Sequence, residues 1–170
     1  MNHDLKVYFD YTCPYCYRGM LDLLDLLPRF PELGIEWRPC EAHPFPEPWM
    51  HSDVASQAMM FVRDYGGNVL QFHEKVFEAC FKKKKRIDDR KLMAEIGSEC
   101  GIDKQELLLA LEEERYAGAV KGNNAQAWNT LGFEAVPSYQ YGKSFLLSHE
   151  DVMISKARLE EFLLKAKKEA

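Results

Sequence analysis

No run of apolar residues in this chain approaches the roughly 18 needed for a helix to cross a bilayer, so a membrane-spanning helix is excluded from the reading. A basic surplus is missing too. The formal net charge is -5, which argues against a phosphate backbone as the main partner, since that requires clustered lysine and arginine. The N-terminus, Met1-Asn2-His3-Asp4, passes at once into Leu5-Lys6-Val7-Tyr8-Phe9, with no basic region, apolar stretch and cleavage site of an export signal, and a cytoplasmic location is expected. Cysteine is sparse, and five is an odd number at irregular spacing. This is a poor disulfide framework but accommodates one redox pair plus unpaired thiols. Internal repeats and low-complexity tracts are absent. Lys82 to Arg86 is the single charge run and reads as a solvated helix end.

What is present is 46% hydrophobic and 29% charged over 170 residues, enough for one domain carrying an insertion. Leu5, Val7 and Phe9 alternate with Lys6 and Tyr8, predicting a strand over 5–10 with one strongly apolar face. Met20, Leu21, Leu23, Leu24 and Leu27 predict a helix from Pro14 that Pro28, Pro31 and Gly34 stop. Ile35 and Trp37 share one face of a second strand ending near Cys40, where Pro39, Pro44, Pro46 and Pro48 enter. The period then changes from two to 3.6 for about eighty residues, predicting an all-helical insertion. Asp103 with Glu106 reads as a capping box within it. After Gly132 a hairpin turns at Gly142-Lys143. Ser148 is expected to cap a last helix that buries Leu159, Phe162, Leu163 and Ala166. The expected class is therefore α/β, with βαβ at residues 1–48, the insertion at 49–131 and ββα at 132–170.

Chemistry concentrates in Cys13-Pro14-Tyr15-Cys16, where the first strand hands over to a helix. Unsatisfied N–H groups and the positive dipole end there favour an anion, so the Cys13 sulfur should ionise readily. Pro14 pre-sets the first helical turn, and Cys16 lies one turn on, within bonding reach and more buried. A zinc half-site and an inert thiol pair are the alternatives. Zinc would need two further ligands, and Cys40 with His43 and His51 lacks second-knuckle spacing. Asp10 can pass protons to the resolving thiol or cap the turn. Tyr11, Tyr15 and Tyr17 can flank the dithiol, whereas Cys80, Cys100 and His73 fall on apolar helix faces and read as core.

A second element, Val136-Pro137, stands just before the first hairpin strand, about 120 residues beyond the dithiol. The segments Phe9-Asp10-Tyr11-Thr12-Cys13-Pro14-Tyr15-Cys16, Phe72-His73-Glu74-Lys75-Val76-Phe77 and Leu131-Gly132-Phe133-Glu134-Ala135-Val136-Pro137-Ser138-Tyr139 carry a resemblance over nearly the whole chain. The chain resembles the DsbA family, in particular its cytoplasmic FrnE-like branch. The same layout is shared by 2-hydroxychromene-2-carboxylate isomerases and kappa-class glutathione transferases.

The resemblance implies a thioredoxin-like fold, a cis bond before Pro137, and thiol-disulfide exchange by Cys13 and Cys16 with protein or small-molecule disulfides. No metal or nucleotide is implied, although glutathione is a possible co-substrate. Two departures stand out: Pro14-Tyr15 is closer to glutaredoxins than to the Pro-His of periplasmic DsbA, and residues 144–151 lack a Gly-Ala-Gln turn. A glutathione-dependent isomerase or transferase is the alternative, although serine commonly replaces Cys13 in those relatives. A non-enzymatic binding module is the third reading. Neither the oligomeric state nor the natural substrate is legible.

Overall fold

The computed structural model of the chain describes residues 3–42, 49–149 and 152–169. His43, Pro44, Pro46 and Pro48, which entered the reading of the sequence, lie outside the described residues. Strand β1 (Leu5–Phe9) leads into α1 (Pro14–Leu26), and β2 (Ile35–Pro39) returns parallel to β1 with Val7 opposite Trp37. The buried stripe of α1 is Cys16, Gly19, Met20, Leu23 and Leu26, a helical spacing that lays one face on the sheet. A short 3-10 turn holding Pro28 ends it, because proline cannot donate to the preceding ladder.

Five helices follow, α2 (Asp53–Asp64), α3 (Val69–Phe81), α4 (Arg90–Glu99), α5 (Lys104–Glu112) and α6 (Ala117–Asn124). The last runs on as a π-helical segment over Ala125–Thr130. The starts of α3, α4 and α5 are fixed by side chains that accept otherwise unpaired backbone N–H groups: Asn68 from Gln71, Asp89 from Lys91, and Asp103 from Glu106. Strands β3 (Ala135–Tyr141) and β4 (Ser144–Ser148) form the hairpin, turning at Gly142 with φ +59°, and α7 (Lys156–Glu169) closes the chain. The sheet order is β2-β1-β3-β4, with β1 and β3 antiparallel.

Three expectations change. Tyr8, placed on the polar face of β1, is buried and meets Phe133 edge to face at 5.0 Å, because β1 is an inner strand covered on both sides. The hairpin strand begins earlier than expected and takes in Val136 and Pro137. Ser148 does not cap the last helix. Its hydroxyl donates to the Pro137 carbonyl, its N–H donates to Ser138 Oγ at 3.2 Å, and Ser155 accepts from Arg158 N at the start of α7 instead. Pairing across the hairpin therefore extends β4 through Ser148 and leaves the capping role to a serine seven residues on.

Candidate active site

The parallel pairing of β1 and β2 sends both strands out at one edge of the sheet, so Cys13 after β1 and Glu41 after β2 emerge side by side. Strand β3 runs the other way, and its first residues, including Val136, start from that same edge. Topology alone brings together three segments far apart in sequence.

Cys13 is the N-cap residue of α1, with φ -95° and ψ 120°, and its Sγ accepts a hydrogen bond from Cys16 N at 3.3 Å. The sulfur thus occupies the place where serine or aspartate caps other helices, facing free N–H groups and the positive end of the macrodipole. It also approaches the Val136 carbonyl at 3.8 Å. Cys16 is only 1% exposed, and its Sγ accepts from Asp10 N at 3.4 Å. The two thiols are set apart chemically. A hydrogen bond from the Cys16 thiol, reinforced by the backbone N–H groups of Cys16 and Tyr15, holds Cys13 below the ordinary thiol range. Burial pushes Cys16 well above it.

Asp10 is 3% exposed and fully engaged: Oδ1 accepts from Thr12 N and Thr12 Oγ1, each at 2.8 Å, and Oδ2 accepts from Ala42 N at 2.7 Å. In this arrangement the carboxylate caps the turn and ties it to the segment leaving β2. The Val136–Pro137 bond is cis. Gly19 lets α1 lie against that proline, since a Cβ there would stand 3.0 Å from Pro137 Cγ and 3.1 Å from the Tyr139 hydroxyl.

The three tyrosines divide. Tyr15 is 46% exposed at the turn. Tyr17 is half-buried and stacks on Phe77 at 5.4 Å and Phe81 at 5.3 Å. Tyr11 does not flank the dithiol: it is buried, with its hydroxyl 2.8 Å from His73 Nδ1, because α3 covers the face of the chain it occupies. Cys40 is buried at the sheet edge, where its Sγ donates to the Phe9 carbonyl at 3.6 Å. Cys80 and Cys100 are buried in the insertion. Burial drives Cys40 well up, Cys80 up to about 11 and Cys100 up, so none of the three is poised to ionise. His51 pairs with Glu41 at 3.1 Å, and Cys40 Sγ with the Phe9 carbonyl.

A cavity of about 340 Å³ opens beside Cys13. Asp10, Thr12, Pro14 and Tyr15 form one side and Glu41, Trp49, Met50 and Ser52 the other. Thr12, Glu41, Trp49 and Met50 were not singled out from the sequence. The available signal was Trp49 itself, a large aromatic in a polar, proline-rich connector and 62% exposed.

Comparison with known proteins places this geometry. The DSBA-like thioredoxin domain description matches residues 4–160. The uncharacterized protein YwbO of Bacillus subtilis (strain 168) is 22% identical over 182 residues, spanning 86% of this chain and 90% of YwbO. A probable DsbA oxidoreductase from Streptomyces coelicolor superposes with a TM-score of 0.78 at 13% identity, covering 99% of this chain and 92% of its own. Chlamydia trachomatis DsbA does so with a TM-score of 0.75 at 14% identity, covering 98% and 87%. The sheet with its inserted helices is a thioredoxin-like fold of the DsbA type. The chain belongs to the DsbA-like thioredoxin domain family.

Proposed function

We propose that this protein is a thiol-disulfide oxidoreductase in which Cys13 is the attacking sulfur and Cys16 the resolving one. The observation that carries the reading is the asymmetry of the pair. One sulfur caps a helix and accepts the N–H of the other residue at 3.3 Å, and the other sulfur is buried one turn on. A thiolate is needed for attack, while a protonated, shielded partner prevents premature ring closure.

In the reducing direction Cys13 attacks one sulfur of a substrate disulfide. The substrate S–S bond breaks, its departing thiolate takes up a proton, and Cys13 remains in a mixed disulfide. Cys16 then loses its proton to solvent and attacks Cys13. The second substrate thiol leaves, and the enzyme carries a disulfide while the substrate has gained two electrons. Oxidation of a substrate dithiol is the same sequence reversed. Val136 supplies main-chain groups beside Cys13 with which an extended substrate segment can pair, as in strand addition. Neither metal nor nucleotide enters these steps. Three further buried, unpaired cysteines suit a reducing compartment and so support a cytoplasmic setting.

Replacing Cys13 by serine is expected to reduce turnover in an insulin-reduction assay to background. Cys16→Ser should instead accumulate mixed disulfides on Cys13, visible by intact mass. Full activity of Cys13→Ser would overturn the assignment. A glutathione-dependent isomerase needs no second sulfur, and the placement of Cys16 weighs against it.

A further inference from the structure

The cavity beside Cys13 has a charge pattern that thiol exchange by itself does not call for. Two carboxylates, Asp10 and Glu41, and two aromatic side chains, Tyr15 and Trp49, line it. Among the described lining residues there is no lysine, arginine or histidine. Tyr15 and Trp49 are 46% and 62% exposed, so incoming groups can reach them. The Asp10 carboxylate and the main chain of Glu41 are both fixed. Asp10 is held by three donors, as described above, and the backbone of Glu41 is anchored at both ends of the residue. Its N–H donates to Asn124 Oδ1 at 2.7 Å and its carbonyl accepts from Trp128 Nε1 at 2.9 Å. His51, the partner of the Glu41 carboxylate at 3.1 Å, belongs to the wall of a neighbouring hollow.

Fixed negative charge together with accessible ring faces attracts a cation and repels a carboxylate. A basic side chain also matches the exposed part of the wall, because its methylene stem can lie along Pro14 and Trp49 while the charged head comes near Glu41. Glutathione has the opposite character, with two carboxylates and one ammonium in each half of its disulfide. The cavity volume of about 340 Å³ would admit either group, so charge decides between them.

From this geometry we infer that the cavity is a subsite for a lysine or arginine side chain flanking the reactive cysteine of a polypeptide substrate, and that it disfavours glutathione disulfide. The inference rests on the redox reading above and adds the substrate class.

The test uses the reduced full-length protein and four oxidants: the homodisulfides of acetyl-Lys-Cys-Lys-amide, acetyl-Ala-Cys-Ala-amide and acetyl-Glu-Cys-Glu-amide, and glutathione disulfide. Second-order rate constants are measured by stopped flow, and each is divided by that of dithiothreitol with the same disulfide. The lysine peptide should exceed the alanine peptide by about tenfold at low salt, with the glutamate peptide and glutathione disulfide about tenfold below it. The spread should collapse as ionic strength rises from about 0.01 M to about 1 M. Glu41→Gln should shrink the lysine-to-glutamate ratio several-fold. Trp49→Ala, at an exposed position, should lower the lysine rate in the same sense. Equal normalised rates for the four oxidants would overturn the subsite while leaving the redox reading standing, as would a ratio unmoved by both substitutions. Failure of all four to oxidise the dithiol would bring down both.

Discussion

Cys13 and Cys16 are the same residue type three positions apart, yet their surroundings drive their acidities in opposite directions. For Cys13 the largest influence is the hydrogen bond from the Cys16 thiol, and it outweighs the partial burial that opposes ionisation. For Cys16 burial comes first, and the neighbouring sulfur adds to it. Cys16→Ala removes the leading stabiliser of the Cys13 anion, so the Cys13 pKa must rise. Alkylation of Cys13 by iodoacetamide, followed against pH, should shift to higher pH in that variant and slow below neutrality, and an unchanged profile would show that the helix end alone sets the acidity. The same sign appears in stability. A thiol held low in the folded, reduced protein stabilises it above the ordinary thiol range, and that contribution is lost as pH falls through the lowered pKa. Both sulfurs were legible in the sequence because a spacing of three after a strand is one helical turn. Tyr11 was not, because alternation at a strand end does not say which side a later helix will cover.

Element packing gives His73 of α3 its character. It lies in a ring of aromatics, 4.3 Å from Trp37 and 5.2 Å from Phe9 between centroids, with Tyr11 on its Nδ1 and no partner for Nε2 among the described residues. Burial alone lowers its pKa to about 3. The imidazole is therefore neutral in the fold and charged in the unfolded chain below its ordinary pKa. Stability is full above about 6.5 and falls as pH drops toward 3, by about 2 to 3 kcal/mol at pH 4.5. His73→Leu loses the Tyr11 hydrogen bond at every pH but removes this acid-dependent part. Urea midpoints at pH 7 and 4.5 should thus converge in the variant relative to the native protein, and an identical acid loss in both would refute the assignment. The apolar stripe of α3 announced a core histidine; its tyrosine partner, in the turn just past β1, comes from packing that no local period encodes. Ser148 shows the same limit, since a serine after a strand can cap a helix or continue the ladder, and the cross-strand Pro137 carbonyl decides it.

At the scale of the whole molecule, the period changes at both ends of the insertion made the frame and its order readable, whereas the joining of the two parts was not. Tyr17 of α1 stacks on Phe77 and Phe81 of α3. Asn123 Nδ2 donates to the Pro39 carbonyl at 3.0 Å, and its Oδ1 accepts from Arg38 at 3.2 Å, so α6 grips β2. Trp128 and Asn124 hold Glu41 at the wall of the cavity. These contacts link residues 60 to 87 positions apart, a separation at which sequence pattern carries no information. They also make one hydrophobic cluster out of sheet and insertion, running from Leu5 and Trp37 through Phe77 to Leu111. Helices α2–α6 should accordingly unfold together with the sheet. Far-UV circular dichroism, dominated by helices, and the fluorescence of Trp37, isolated in a Trp49→Phe, Trp128→Phe background, should give coincident urea midpoints within about 0.3 M, well inside the width of a cooperative transition. Two separated midpoints would mean that the insertion melts on its own. The cavity wall at Trp49, Met50 and Ser52, which leads into α2, would then be a docked surface able to part from Cys13 while the dithiol stays folded.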